Sequence, residues 1–228
     1  MSERVRVAEG LHAVKPAEGI EIPAPAPKPS PAKLSWAGER ILLHICCAPC
    51  STYTIQRLRE LRFHVTGFWY NPNIHPWQEH ERRRLSLEDY AAQMELPMIW
   101  HPNYEMPLFL RMVNGREQFR RRCAICYEMR LTQTARAAKA GGFPAFTTTL
   151  LISPYQDQEL IRQLGERIAA AEGITFYFEN FRRGWSERGR MATEYGLYRQ
   201  QYCGCIYSEW ERYNHAPIDT ILPAESAG

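Results

Sequence analysis

The sequence predicts an α/β protein, a Rossmann-like, mostly parallel sheet of about five strands flanked by helices. Three observations carry that expectation. Short apolar runs alternate with segments of helical spacing along most of the chain. The order is strand, helix, strand rather than strand, turn, strand, which favours parallel pairing with crossover helices. At 228 residues, 45% hydrophobic and 23% charged, the chain is large enough to bury a sheet on both faces.

The elements follow in order. Residues 1–38 read as a disordered tail, because "IPAPAPKPSPAK" (Ile22 to Lys33) is rich in Pro and Ala and has no apolar period to bury. The folded domain is expected over residues 39–228. "RILLHIC" (Arg40 to Cys46) is an apolar run suited to a buried first strand, and Thr52 to Arg62 has helical spacing at Ile55, Leu58 and Leu61. "HVTGFWY" (His64 to Tyr70) is a second strand, Trp77 to Leu96 a helix, and "MIWH" (Met98 to His101) a brief third strand. An irregular-to-helical insertion spans Asn103 to about Arg122, followed by a helix from about Ala124 to Ala140 that Gly141 and Gly142 end. "FTTTLL" (Phe146 to Leu151) is a fourth strand, Gln156 to Gly173 a helix, "ITFYF" (Ile174 to Phe178) a fifth strand, and roughly Ser186 to Tyr202 a terminal helix. Right-handed crossovers suggest the strand order 3-2-1-4-5. Ligands of such a sheet sit beyond the carboxyl ends of the strands, at the switch between the first and fourth. "HICCAPCS" (His44 to Ser51) and "LLISPYQD" (Leu150 to Asp157) should therefore face one crevice.

Composition narrows the function classes. No run approaches the roughly 18 apolar residues of a membrane helix, and the N-terminus lacks an apolar signal core. A cytoplasmic protein without membrane association is expected. In a reducing compartment, clustered cysteines are more often metal ligands or redox thiols than structural disulfides. No Walker A motif and no G-x-G-x-x-G occurs, so ATP or NAD binding in the usual doubly wound manner is not supported.

The seven cysteines fall in three groups: Cys46, Cys47 and Cys50; Cys123 and Cys126; Cys203 and Cys205. Structural zinc prefers well-spaced knuckles, and an adjacent Cys46-Cys47 pair suits it less well. An iron–sulfur cluster tolerates irregular spacing, and Cys46, Cys47, Cys123 and Cys126 supply its four thiolates. Seven cysteines in three groups make a poor set of plain apolar side chains. Cys203-Gly204-Cys205 suits a strained, easily reduced redox disulfide, with two further metal ligands as the alternative. Cys50 is left beside the cluster, free to ligate a second metal.

The loop after the second strand carries Asn71 and Asn73, able to bond a base edge, among aromatic residues. Basic residues cluster too. Arg116 to Lys139 holds seven Arg or Lys against two Glu, and Phe181 to Arg190 four Arg against one Glu, within a net charge of +3. Arginine with Trp and Tyr is the mixture that grips and stacks single-stranded RNA.

"LLHICCAPCS", "YNPNIHP", "RCAICYEMRL", "FTTTLLISPYQD" and "YRQQYCGCIYS", in order from about Ile41 to Tyr207, closely resemble the signatures of the QueH family of epoxyqueuosine reductases. The resemblance implies a PP-loop-like (HUP-like) α/β architecture without its ATP motif. It implies an iron–sulfur-dependent oxidoreductase for the last step of queuosine synthesis, reducing epoxyqueuosine to queuosine at the wobble position of tRNA. Carried over, Cys46, Cys47, Cys123 and Cys126 become [4Fe-4S] ligands and Cys203 with Cys205 a redox-active disulfide. Where some family members carry Asp for binding an extra iron, this chain has Cys50, so an additional iron ion is a softer expectation. tRNA and an electron donor are the implied partners. Asn71, Asn73 and Tyr155 are the substrate-binding candidates; Tyr155, Asp157 and His75 are the proton-donor candidates. The rivals are a zinc-stabilised RNA-binding protein and a thiol–disulfide oxidoreductase.

Overall fold

The computed structural model describes residues 36–221, and the Pro/Ala-rich segment expected as a tail lies outside them up to residue 35. Trp36 packs at 5.8 Å from Phe63 and edge-on at 6.1 Å from Tyr177.

Five strands form one parallel sheet: β1 (Arg40–His44), β2 (His64–Trp69), β3 (Met98–Trp100), β4 (Ala145–Thr148) and β5 (Thr175–Phe176), ordered β3-β2-β1-β4-β5. β1 is central and covered on both faces, which is why Ile41, Leu42, Leu43 and Ile45 are all inaccessible to solvent. The helices are α1 (Ala48–Glu60), α2 (Trp77–Gln93), α3 (Met106–Val113), α4 (Arg121–Ala140), α5 (Gln158–Glu172), α6 (Trp185–Glu194) and α7 (Ile206–Asn214). α4 packs on α5 and α1 on α6. Winding runs outward from β1 to β3, then returns through α4 to β4 beside β1. The switch point therefore lies between β1 and β4, as the alternation of elements predicts.

Several boundaries differ from expectation, and three of them have a clear local reason. α1 begins at Ala48, with Pro49 in its first turn, where a proline's missing N–H costs nothing. The fourth strand ends at Thr148 rather than Leu151. The Thr148 hydroxyl accepts from Leu150 N at 3.1 Å and turns Thr149–Ile152 into a 3-10 turn. The terminal helix stops at Glu194, beside Gly196 at φ +62, and an unanticipated helix, α7, follows. The released segment 195–205 returns to the strand ends. α5 matches its signals: Asp157 caps it through Leu160 N at 3.1 Å, and Gly173 closes it in the left-handed region.

Candidate cysteine centre

The cysteines of the first group sit where β1 gives way to α1. Cys47 is the N-cap of α1 and Cys50 lies in its first turn, so adjacent and i+3 side chains converge. The sulfurs of Cys46, Cys47 and Cys50 lie within 4.8 Å of one another, and Cys46 Sγ is 3.8 Å from Cys47 Sγ. The switch point is bridged directly. Cys46 N donates to Thr149 Oγ1 at 3.1 Å, and that hydroxyl donates to Cys46 Sγ at 3.3 Å. "HICCAPCS" and the segment after β4 thus face one crevice.

The three thiols are not equivalent. Hydrogen bonds from Cys47 and Cys50, with help from Thr149 and the charge of Arg130, hold Cys46 well below the usual thiol range. Burial pushes Cys47 up to about 12. Hydrogen bonding to Cys46 and Cys47 as acceptors pushes Cys50 up as well. One thiolate and two thiols is the state favoured without a cation; a metal is what allows all three to ionise.

Cys123 and Cys126 occupy the first turns of α4, one helical turn apart on one face. Burial raises both, Cys123 to about 11, and the charges of Cys203 and Cys205 raise both further. The second and third cysteine groups are therefore neighbours. Neither Cys123 nor Cys126 joins a set of three ligands within 4.8 Å among the described residues; the compact set is the one with Cys50.

Cys203 and Cys205, expected as a redox-active pair, are free thiols, as are the other five cysteines. Cys203 is exposed, whereas Cys205 is buried in a small cluster with Phe109, Val113 and Ile125. Gly204, at φ +146, separates these environments; a Cβ there would lie 3.1 Å from Ile74 and 3.2 Å from Asn73 Nδ2.

Several residues that the sequence did not single out hold these groups. Gln200 donates from Nε2 to Cys47 Sγ at 2.9 Å. Gln156 donates to Cys203 Sγ at 3.4 Å while accepting from Tyr127 OH at 2.9 Å. Buried Arg83 binds Glu79 at 2.7 Å and the carbonyls of Cys203 and Tyr202 at 2.9 and 3.1 Å. Arg130 is 1% exposed, has no carboxylate partner among the described residues and leaves Nη2 without a hydrogen bond. Burial opposes its charge; Cys126, Cys203 and Cys46 favour it. The signal for both arginines was helical spacing: Arg83 is four before Leu87, and Arg130 four after Cys126.

The remaining candidates divide. Asn71 is buried, donates to Ile45 O at 2.9 Å and leaves Oδ1 without a partner. Asn73 is buried with Oδ1 likewise unpartnered. His75 has both nitrogens engaged, with Ile206 N and Pro72 O, and burial lowers it to about 4. Asp157 is committed to capping α5. Tyr155 is 75% exposed and lines a cleft of about 500 Å3 with Arg120, Cys123, Tyr127, Gln156 and Arg182. Much of the basic charge counted along the chain is neutralised locally. Arg122 pairs with Glu211, Arg136 with Glu172, Arg183 with Glu179, and Arg190 with Glu187. Among the described residues no helix is long and apolar enough to cross a membrane.

The donor set suits a thiolate-bound metal centre. Cys46, Cys47 and Cys50 converge at the end of β1, and Arg130 is a buried cation influenced by Cys126, Cys203 and Cys46, with no carboxylate partner among the described residues. An iron–sulfur cluster on four thiolates carries net negative charge, which is what Arg130 lacks.

Fold and site together define a parallel α/β protein with a cysteine centre at its topological switch point. The model of the family described as epoxyqueuosine reductase QueH matches residues 41–211. The epoxyqueuosine reductase QueH of Dehalococcoides mccartyi is 38% identical over 174 residues, covering 76% of this chain and 94% of that protein. That of Thermotoga maritima is 35% identical over 187 residues, covering 78% and 95%. The chain belongs to the QueH family. A crystal structure titled as a predicted subunit of tRNA methyltransferase from Methanocaldococcus jannaschii is similar with a TM-score of 0.47 and 10% identity, covering 68% of this chain and 75% of that one.

Proposed function

We propose that this chain reduces epoxyqueuosine to queuosine at the wobble position of tRNA. The observation that carries the reading is the cysteine centre at the β1–β4 switch point, in a chain of this family. In the reaction two C–O bonds of the epoxide break, a C=C bond forms and oxygen leaves as water. Two electrons and two protons are consumed.

Cys46, Cys47, Cys123 and Cys126 are the residues proposed to hold a [4Fe-4S] cluster, with Cys50 beside them for an additional iron. When bound, these groups supply single electrons at low potential and Lewis acidity toward oxygen. The residues of the chain do the rest. Arg130 balances negative charge in the buried centre. Gln156 orients Cys203. The free thiols of Cys203 and Cys205 together hold two electrons and two protons, the stoichiometry the reaction needs; their oxidation joins the two sulfurs, and a cellular electron donor restores the thiols. The cleft lined by Tyr155, Arg120 and Arg182 opens on Cys123 and admits the RNA. Tyr155 is the proton donor to the epoxide oxygen, since His75 and Asp157 are already engaged.

Iron and sulfide analysis of anaerobically purified protein, with its absorption spectrum, tests the reading. A brown protein with about four irons per chain is expected. Cys123→Ser should lose the chromophore and the reaction, whereas Cys203→Ser should keep the chromophore and turn over slowly. Full activity in cluster-free Cys123→Ser protein sinks the assignment. A colourless, zinc-loaded protein would favour an RNA-binding module, and metal-independent activity a thiol–disulfide oxidoreductase.

A further inference from the structure

A second cavity, of about 250 Å3, lies between the first turns of α2 and the loop after β3. Its walls are Trp77, His80, Trp100 and Tyr104. Trp77 and His80 are nearly parallel, with centroids 5.3 Å apart and planes at 19°. Tyr104 leans on them at 5.1 and 4.4 Å. Yet Trp77 remains 54% exposed, so a large aromatic face at the cavity mouth is left uncovered.

The polar groups are few and directed. Glu81 accepts from His80 Nδ1 at 3.2 Å, and the Arg84 guanidinium lies 6.0 Å from the Trp100 ring. Asn71 lines the same cavity. Its Nδ2 is spent on the carbonyl immediately before Cys46, and its Oδ1 is buried without a partner. One side chain thus joins the aromatic cavity to the cysteine centre.

Flat aromatic walls with acceptors at the edge suit a planar heterocycle carrying N–H donors. Arg84, the cation at this edge, is already paired with Glu81 at 3.0 Å and with Glu88 at 3.2 Å, which leaves little positive charge for a phosphate. The volume lies below the roughly 300–1,000 Å3 of drug-sized sites, so it has room for a single ring system. RNA bases in unpaired loops are held in this manner, stacked on aromatic faces and hydrogen-bonded at their edges.

We propose that the cavity of Trp77, His80, Trp100 and Tyr104 binds one unpaired nucleobase of the RNA substrate, stacked on Trp77 and hydrogen-bonded at Glu81 and Asn71. This rests on the reductase reading above. The base is either that of the modified nucleotide or of its neighbour in the anticodon loop; both present N–H groups on a planar ring.

The test uses the full-length holoprotein and a fluorescein-labelled anticodon stem–loop RNA carrying epoxyqueuosine, with binding read by anisotropy. Trp77→Ala should weaken binding roughly five- to hundredfold and raise KM by a similar factor, with iron content unchanged. Trp77→Phe should stay near wild type. Stem–loops abasic at either neighbouring position separate the sources. If Trp77→Ala costs nothing further with one of them, the missing base is the occupant; if it weakens both equally, the modified base is. Wild-type affinity in Trp77→Ala overturns the pocket, even where reduction proceeds. Wild-type protein that binds the RNA but never reduces it overturns the reductase reading while leaving the pocket result standing. Wild-type protein that binds no RNA overturns both.

Discussion

Gln200 Nε2 donates to Cys47 Sγ at 2.9 Å, across 153 positions of sequence. The same nitrogen lies 3.8 Å from Cys50 Sγ, and the other amide atom, Oε1, is buried without a partner. With Cys47 as a ligand of the proposed cluster, a donor aimed at its sulfur stabilises the more negative, reduced form. Gln200→Leu should therefore keep its iron and shift the reduction potential downward, by on the order of tens of mV for one hydrogen bond. Potentiometric titration of the holoprotein checks this; an unchanged potential would show that the contact has no electronic role.

Arg130 is a buried charge with thiols rather than carboxylates for company. Arg130→Met should leave the far-ultraviolet circular dichroism intact but reduce iron and sulfide bound per chain. The cluster that remains should be harder to reduce by roughly 50–150 mV, because a nearby positive charge has gone. Full loading at the wild-type potential would remove Arg130 from its role as counter-charge.

Gly204 joins an exposed cysteine to a buried one at φ +146. In Gly204→Ala the new Cβ meets Ile74 and Asn73 in a backbone region that L-residues rarely adopt. A cost of roughly 1–3 kcal/mol is expected, seen as a lower melting temperature, with slower turnover at unchanged iron content. An unaltered melting temperature would mean that the segment relaxes freely.

His75 gives a pH signature. Its folded-state value of about 4 lies below the usual histidine range, because burial disfavours the cation. Below about pH 6.5 the unfolded chain takes up a proton that the folded ring does not. The stability is thus complete above about 6.5 and is lost as pH falls toward 4, at about 1.4 kcal/mol per pH unit. Between pH 7 and pH 5 wild type should lose roughly 2 kcal/mol more than His75→Gln in urea unfolding. Parallel pH profiles for the two proteins would refute it.

Much of the fold was legible in the chain. The run Ile41 to Ile45 reads as a buried strand because a central parallel strand needs apolar residues on both faces. Asp157 and Gly173 bracket α5 by local hydrogen bonding and backbone freedom alone. What was missed depends on contacts distant in sequence. The break of the terminal helix after Glu194 gives little local sign beyond Gly196, since the segment that follows is held by Arg83, His75 and Cys47. The basic stretches looked like an RNA-binding face, but ion pairs such as Arg122–Glu211 join residues that only folding brings together.

By itself the sequence determined the strand order, the three cysteine groups and the place of the first group at the switch point. These follow from periodicity and from the handedness of crossovers, which are local or topological properties. Tertiary structure alone decided that Cys46, Cys47 and Cys50 form the tightest set among the described residues, that Cys46 is the most acidic of these three, and that Gln200, Gln156 and Arg130 attend the sulfurs. It also decided that Asn71 links the aromatic cavity to the centre. Acidity, burial and hydrogen-bond supply are set by which groups meet in space, and spacing along the chain does not encode them.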